Sequence, residues 1–253
     1  MSDATSQNPY AIPSSELQEV PRDDQVPSIE QALSRGYDFS IGQLISEAWL
    51  LVRGTKGIII AGFVVFYVAM FITSFIIGAV LGVFSIFSES IALIIAAQFL
   101  TTILASAVTY PFLAGLSMVG IRRAAGQPFS FNDIFSYFGR ALPLLVTAIV
   151  MMILIYIGFI LLIIPGIYLS VAYMLAIPLV VERGLSPWQA LETSRKALSQ
   201  HWFKAFGLFL LLGLIVAISA IPLGIGLVWS IPLFVIACGV LYRTIFGVLP
   251  VAR

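Results

Sequence analysis

The chain has 253 residues, of which 60% are hydrophobic and only 10% charged, with a formal net charge of +1. A soluble domain runs at about 45–50% apolar and about 25% charged, so this composition speaks against a soluble enzyme and against a disordered chain. A single cysteine, Cys238, excludes an intrachain disulfide framework; a single histidine, His201, leaves little for metal or acid–base chemistry; and the near-neutral charge argues against a nucleic-acid partner.

In chain order, residues 1–38 come first. They are polar, acidic and scattered with Pro9, Pro13, Pro21 and Pro27. They lack the basic start and apolar run of a secretory signal. They read as a disordered acidic cytoplasmic tail, followed by a polytopic α-helical membrane domain over 39–253.

Four stretches then carry no Asp, Glu, Lys, Arg or His: 57–88, 90–121, 141–181 and 205–242. A bilayer core about 30 Å thick needs about 20 apolar helical residues, so the first two stretches hold one span each and the other two are long enough for two. Pro165-Gly166 and the segment Pro222-Leu223-Gly224-Ile225-Gly226 break the longer pair near their middles. Six transmembrane helices follow, near 57–81, 91–119, 142–163, 166–182, 205–221 and 227–243, arranged as three hairpins. The fourth is short and contains Pro178, so it is expected to tilt, to thin the bilayer locally or to be partly re-entrant. With six spans, all 13 Lys and Arg fall on one side and only Glu89 on the other. The positive-inside rule then places both termini in the cytoplasm.

Each hairpin is preceded by a similar signature: Phe39-Ser40-Ile41-Gly42-Gln43-Leu44, Phe129-Ser130-Phe131-Asn132-Asp133-Ile134 and Leu185-Ser186-Pro187-Trp188-Gln189-Ala190. In each, serine suits an N-cap and the residue three further on can reach back as in a capping box. Short amphipathic helices are expected after each signature. Their apolar faces carry Ile41, Leu44, Ile45, Ala48 and Val52; Phe131, Ile134, Phe135 and Phe138; and Trp188, Leu191, Leu198 and Trp202. Such helices, flanked by Trp and Arg, belong at the membrane interface. The threefold pattern is either a divergent duplication or a shared solution to membrane entry.

The segments Ile164-Pro165-Gly166-Ile167-Tyr168 and Val181-Glu182-Arg183-Gly184-Leu185-Ser186-Pro187-Trp188-Gln189-Ala190-Leu191, with Ser194 and His201-Trp202, are the most distinctive of the chain. In these residues it resembles the YciC-like bacterial inner-membrane proteins and the membrane domain of some glycerophosphoryl diester phosphodiesterases. The resemblance covers roughly residues 140–246 well and 37–140 loosely. It implies a multi-pass protein of the bacterial cytoplasmic membrane. It implies no activity, because the phosphodiesterase chemistry belongs to a separate soluble barrel domain.

A search for chemistry finds no nucleophile–base pair, no HExxH and no P-loop, and the glycines around Ser117 do not make G-x-S-x-G. No catalytic residue, metal site or cofactor is therefore expected. Polar groups at depth gather on one stripe of the second span: Gln98, Thr102, Ser106 and Thr109. They read either as interhelical hydrogen bonding or as the lining of a cavity opened by a kink at Pro111. Gly78 and Gly82 form a GxxxG pair that would admit a neighbouring helix. Arg122, Arg123, Arg195, Lys196 and Lys204 are candidates for holding anionic lipid headgroups, or else they only set orientation. The expectation is a non-enzymatic membrane protein that organises lipids or membrane partners through its interfacial helices, its partners being membrane lipids and either another membrane protein or further copies of itself as a homo-oligomer. The alternative is a transporter or channel for an uncharged or lipid-like substrate.

Overall fold

The computed structural model describes residues 26–87 and 90–250. Residues 1–25, Glu89 and Arg253, which entered the tail and charge arguments, lie outside them, as do the surroundings of Gly82. Among the described residues there are ten α-helices and no strand. They are α1 (Ile29–Arg35), α2 (Ile41–Val52), α3 (Lys56–Phe87), α4 (Ile91–Ala124), α5 (Ala141–Leu161), α6 (Ile163–Ala172), α7 (Ala176–Glu182), α8 (Pro187–Gln200), α9 (Trp202–Ala220) and α10 (Leu227–Phe246). Two 3-10 turns, Phe131–Phe135 and Phe138–Arg140, link α4 to α5.

Six helical stretches are long and apolar enough to cross a membrane, and they fall where the charge-free runs placed them. The fourth, Ile163–Glu182, comprises α6 and α7 and is broken at 173–175. Pro165-Gly166 is not the turn between the third and fourth spans. The chain turns one step earlier, at Leu162, which is extended. Pro165 then occupies the first turn of α6, where a missing N–H costs no helical bond. Gly166 sits under the ring of Phe159, where a Cβ would collide with the ring. The turn before α10 does use its breakers, with Leu223 and Gly224 both at positive φ.

The most extensive helix contact joins α4 to α10. It is a backbone contact. A Cβ on Gly239 would fall on the carbonyl of Gly120, and a Cβ on Gly120 would fall on the carbonyl of Val235. Gly115, one and a half turns along α4, lies against the backbone of Ile134 in the first 3-10 turn, and Gly62 of α3 receives the end of the Ile134 side chain. Gly78, by contrast, has open space where its Cβ would be. Close backbone packing at glycine is therefore found at 115, 120 and 239, and not at Gly78.

Two of the three signature segments form the expected helices, α2 and α8, and the one after Ser130 does not. Leu44, Ala48 and Val52 of α2 are buried, chiefly against α10. The segment after Ser130 makes 3-10 turns, with Ile134 fully buried against α3 and α4. Helix α8 buries Ala190, Leu191, Ser194, Ala197 and Leu198 against α5, α6 and α7. These parts of the apolar faces are thus covered by protein, while Phe138 stays exposed. Trp49 and Trp188 remain exposed, whereas Trp202 stacks on Phe206. The cap reach-back is made at Ser130 by Asp133 and at Ser186 by Gln189, and no side-chain cap forms at Ser40.

Part of the expected tail is folded. Ser28 and Gln31 form a complete capping box that starts α1. This helix and the segment after it dock on α8 and α10: Gln200 donates to the Leu33 carbonyl at 2.8 Å, and the Tyr37 hydroxyl to the Ala197 carbonyl at 3.2 Å. Burial pushes the Tyr37 phenol up to about 12. The acidic average over 1–38 concealed the short apolar set Ile29, Ala32 and Leu33 behind a proper cap.

Replacing Gly239 with Leu forces the α4 and α10 backbones apart, and thermal unfolding in detergent should show a loss at or beyond the roughly 1–3 kcal/mol of overpacking. Gly78→Ala should stay within about 0.5 kcal/mol of the parent. Equal effects from the two would show that the α4–α10 contact is not the tight one.

Candidate functional site

A helix ends with carbonyls that lack partners and with a partial negative charge, so a cation placed there is stabilised. Five arginines use this rule across the tertiary structure. Arg123 donates to the carbonyls of Leu51 and Arg53 at the end of α2, at 3.0 and 2.8 Å. Arg140 reaches Val181 in the last turn of α7 at 3.1 Å. Arg243 caps α4 through the Ala124 carbonyl and pairs with Glu47 at 2.8 Å. Arg35 and Arg183 both serve α10, through Ile245 at 3.1 Å and through Phe246 respectively. The ends of α2, α4, α7 and α10 are thereby gathered at one end of the bundle.

The centre of this end is Glu182, whose side chain is only 2% exposed. It accepts from the Tyr242 hydroxyl at 2.6 Å and from the backbone N–H of Leu249 at 2.7 Å. Arg183 Nε lies 2.7 Å from it as an ion contact without hydrogen-bond alignment, and another nitrogen of Arg183 donates to Pro27 at 3.2 Å. One carboxylate and its neighbour thus tie α7, α10 and the segments flanking α1 and α10.

The break between α6 and α7 is closed by α8. Fully buried Ser194 donates to the Ala172 carbonyl at 2.7 Å and accepts from the Leu175 N–H at 3.2 Å. Tyr168 and Ser199 hydroxyls lie 2.5 Å apart, and Trp202 Nε1 donates to the Tyr168 carbonyl at 3.3 Å. These contacts run α8 antiparallel to α6 and α7.

On the span side of the Gly120–Gly239 contact, two clefts flank Phe234. One, of about 420 Å³, is bounded by α5, α6 and α7, with Met151, Ile155 and Tyr173 in its wall. The other, of about 440 Å³, is bounded by α3 and α9, with Phe63, Tyr67 and Gly213 in its wall. They share Leu113 and Ser117 of α4 and Phe234 and Cys238 of α10. Both volumes lie within the roughly 300–1,000 Å³ of ligand sites. The serines in their walls bond to their own helices, Ser117 to the Leu113 carbonyl and Ser170 to the Ile167 carbonyl, each at 2.8 Å.

The four stripe residues of α4 are not in the walls of these two clefts. Gln98 and Thr102 are exposed, and Ser106 and Thr109 are half-buried. Thr102, Ser106 and Thr109 each donate to the carbonyl four residues back, at 2.8–2.9 Å, and α4 runs through Pro111 as one helix. The candidate headgroup residues are engaged within the protein. Arg122 pairs with Asp133 at 3.1 Å, and Arg123 caps α2. Arg195 forks onto Glu192 at 2.8 and 2.7 Å, and Lys196 lies 3.6 Å from the same carboxylate. The Arg195 hydrogen bonds hold the Glu192 carboxyl below its ordinary value. Lys204 pairs with Asp38, and this hydrogen bond with the Phe39 N–H lowers the Asp38 pKa. His201 stacks edge-on to Tyr37. Among the described residues, no three His, Cys, Asp or Glu side chains group as metal ligands. Sequence reasoning took Glu182 and Arg183 only as a membrane exit. Adjacent opposite charges at the end of an apolar run, together with Tyr242-Arg243 at the end of another, were the available signal.

No family model, no curated protein and no solved structure matches the chain.

Three outcomes test this helix end. Ser194→Ala leaves a buried N–H and carbonyl unpaired and should cost about 1–3 kcal/mol in equilibrium unfolding. Glu182→Ala strands the buried Arg183 and should cost about 3–5 kcal/mol; a change under one-third of that would remove the node from its central place. Because the folded-state pKa of Asp38 is lowered, its pair with Lys204 stabilises above the ordinary carboxylate pKa and is lost as pH falls through the depressed value. Lys204→Met should move the Asp38 NMR titration midpoint upward.

Proposed function

We propose that the chain is a non-enzymatic, multi-pass protein of the bacterial cytoplasmic membrane that holds lipid-like amphiphiles between its spans. The observation that carries this reading is the pair of clefts that share Phe234, walled mainly by apolar side chains from all six membrane-length stretches. Their serines are satisfied by their own helices, which leaves apolar contact as the main recognition. The resemblance to YciC-like proteins supports the bacterial setting. The placement of basic residues supports three hairpins with both termini cytoplasmic.

The interfacial helices have a different part in this reading. Their apolar faces pack on the bundle, so they brace the spans, while Trp49 and Trp188 remain free to sit at headgroup level. Holding lipid is favoured over a transport path along the second span, because Gln98 and Thr102 face outward. That outward stripe is the surface on which a membrane partner or a second copy would pack.

Phosphate analysis after detergent exchange should find at least one phospholipid retained per chain, and Gly213→Phe combined with Ile155→Trp, which fill the two clefts, should remove it. Retention unchanged by the double variant would sink the proposal. A cysteine at position 195 in a Cys238→Ser background should label only from the cytoplasmic side; labelling from outside would reverse the topology.

A further inference from the structure

Two helices whose backbones touch at one point diverge on either side of it, and the space between them must be filled by side chains or by something else. In this fold the contact is Gly120 on Gly239. Ser117 lies three residues from it on α4 and Phe234 five residues from it on α10, so the clefts open within about two turns of the crossing. Phe234 borders both clefts, the one of about 420 Å³ toward α5 and the one of about 440 Å³ toward α9.

We infer that the two clefts form one site for a two-chain lipid, with one acyl chain on each side of Phe234. This inference rests on the lipid-holding reading above and specifies its ligand. Three observations carry it. The first is size: with a methylene counted at roughly the 30 Å³ of a liquid water molecule, each cleft takes about 14 methylenes, close to one common acyl chain. The second is connection. The clefts share Leu113, Ser117, Phe234 and Cys238, so two chains joined at one glycerol can separate around a single ring instead of needing two distant sites. The third is chemistry. A rigid aromatic wall backed by Phe209, whose ring centre is 6.4 Å away, offers contact area to methylenes, and the nearby serines keep their hydroxyls on their own helices. One molecule of a sterol or of a single-chain detergent would fill one cleft, and a second molecule would be needed to fill the other.

The two clefts can be closed separately. Gly213 lines only the α9 side and has open space at its Cβ, so Gly213→Phe fills that cleft alone. Ile155 lines only the α5 side, so Ile155→Trp fills the other. Native mass spectrometry of the delipidated full chain would be titrated with dioleoylphosphatidylethanolamine and with its one-chain lysolipid. Thermal melts of each variant would confirm the fold. The expected result is one two-chain lipid per protein, weakened at least tenfold by either single variant. The lysolipid should bind up to two per protein, and each single variant should leave one. Two-chain binding that survives both single variants within about twofold, or two such lipids bound independently, would overturn the shared site while leaving the clefts as lipid sites. Failure of either lipid to bind the parent protein would overturn both readings.

Discussion

The contact of Gly120 with Gly239 is the constraint on which the other packing depends. Between helices in a bilayer there is no hydrophobic drive, so association relies on close van der Waals approach, and small residues permit it. Here two glycines let α4 and α10 meet backbone to backbone. Once they are fixed, Gly115 admits the Ile134 turn beneath α3, α2 lies along α10, and the clefts on both sides of Phe234 follow from the divergence. A side chain at 120 or 239 would alter all of these together.

The basic residues have two physical tasks that use the same charge. In the proposed topology they collect on one side, where the positive-inside rule would use them to orient the chain. Folded, five of the arginines donate to carbonyls at the ends of other helices. Four of these helices end together, and their partial negative charges would repel without the guanidinium groups between them. Arginine suits this because its fork can serve two acceptors at once, as Arg123 does with Leu51 and Arg53.

How much of this was legible in the sequence depends on whether the signal is local. The spans were legible because an uncharged run of sufficient length has one good solution in lipid, the helix. The Pro222–Gly226 turn was legible because its breakers act on their own backbone. The glycine contact was not, since the sequence shows that a glycine is small but not which helix meets it; Gly78 is as small as Gly120 and faces open space. The same holds for the amphipathic segments. An apolar face such as Leu44, Ala48 and Val52 looks alike whether lipid or α10 covers it. The Gln98 stripe was visible as a stripe, but its outward direction is set by how α4 packs at its far half, around 110–124. The clefts have no sequence signature because their walls come from seven helices spread along the chain.

The break in the fourth span bears on the order in which the molecule is made. A transmembrane segment normally completes its own backbone hydrogen bonds as it enters lipid. This one does not, because the Leu175 N–H and the Ala172 carbonyl are closed by Ser194, which is synthesised about twenty residues later. The bonding at this break is therefore complete only with α8 beside it. The fourth span and the helix that follows it are thus one hydrogen-bonded unit, and a chain lacking residue 194 would leave the Leu175 N–H and the Ala172 carbonyl without this partner.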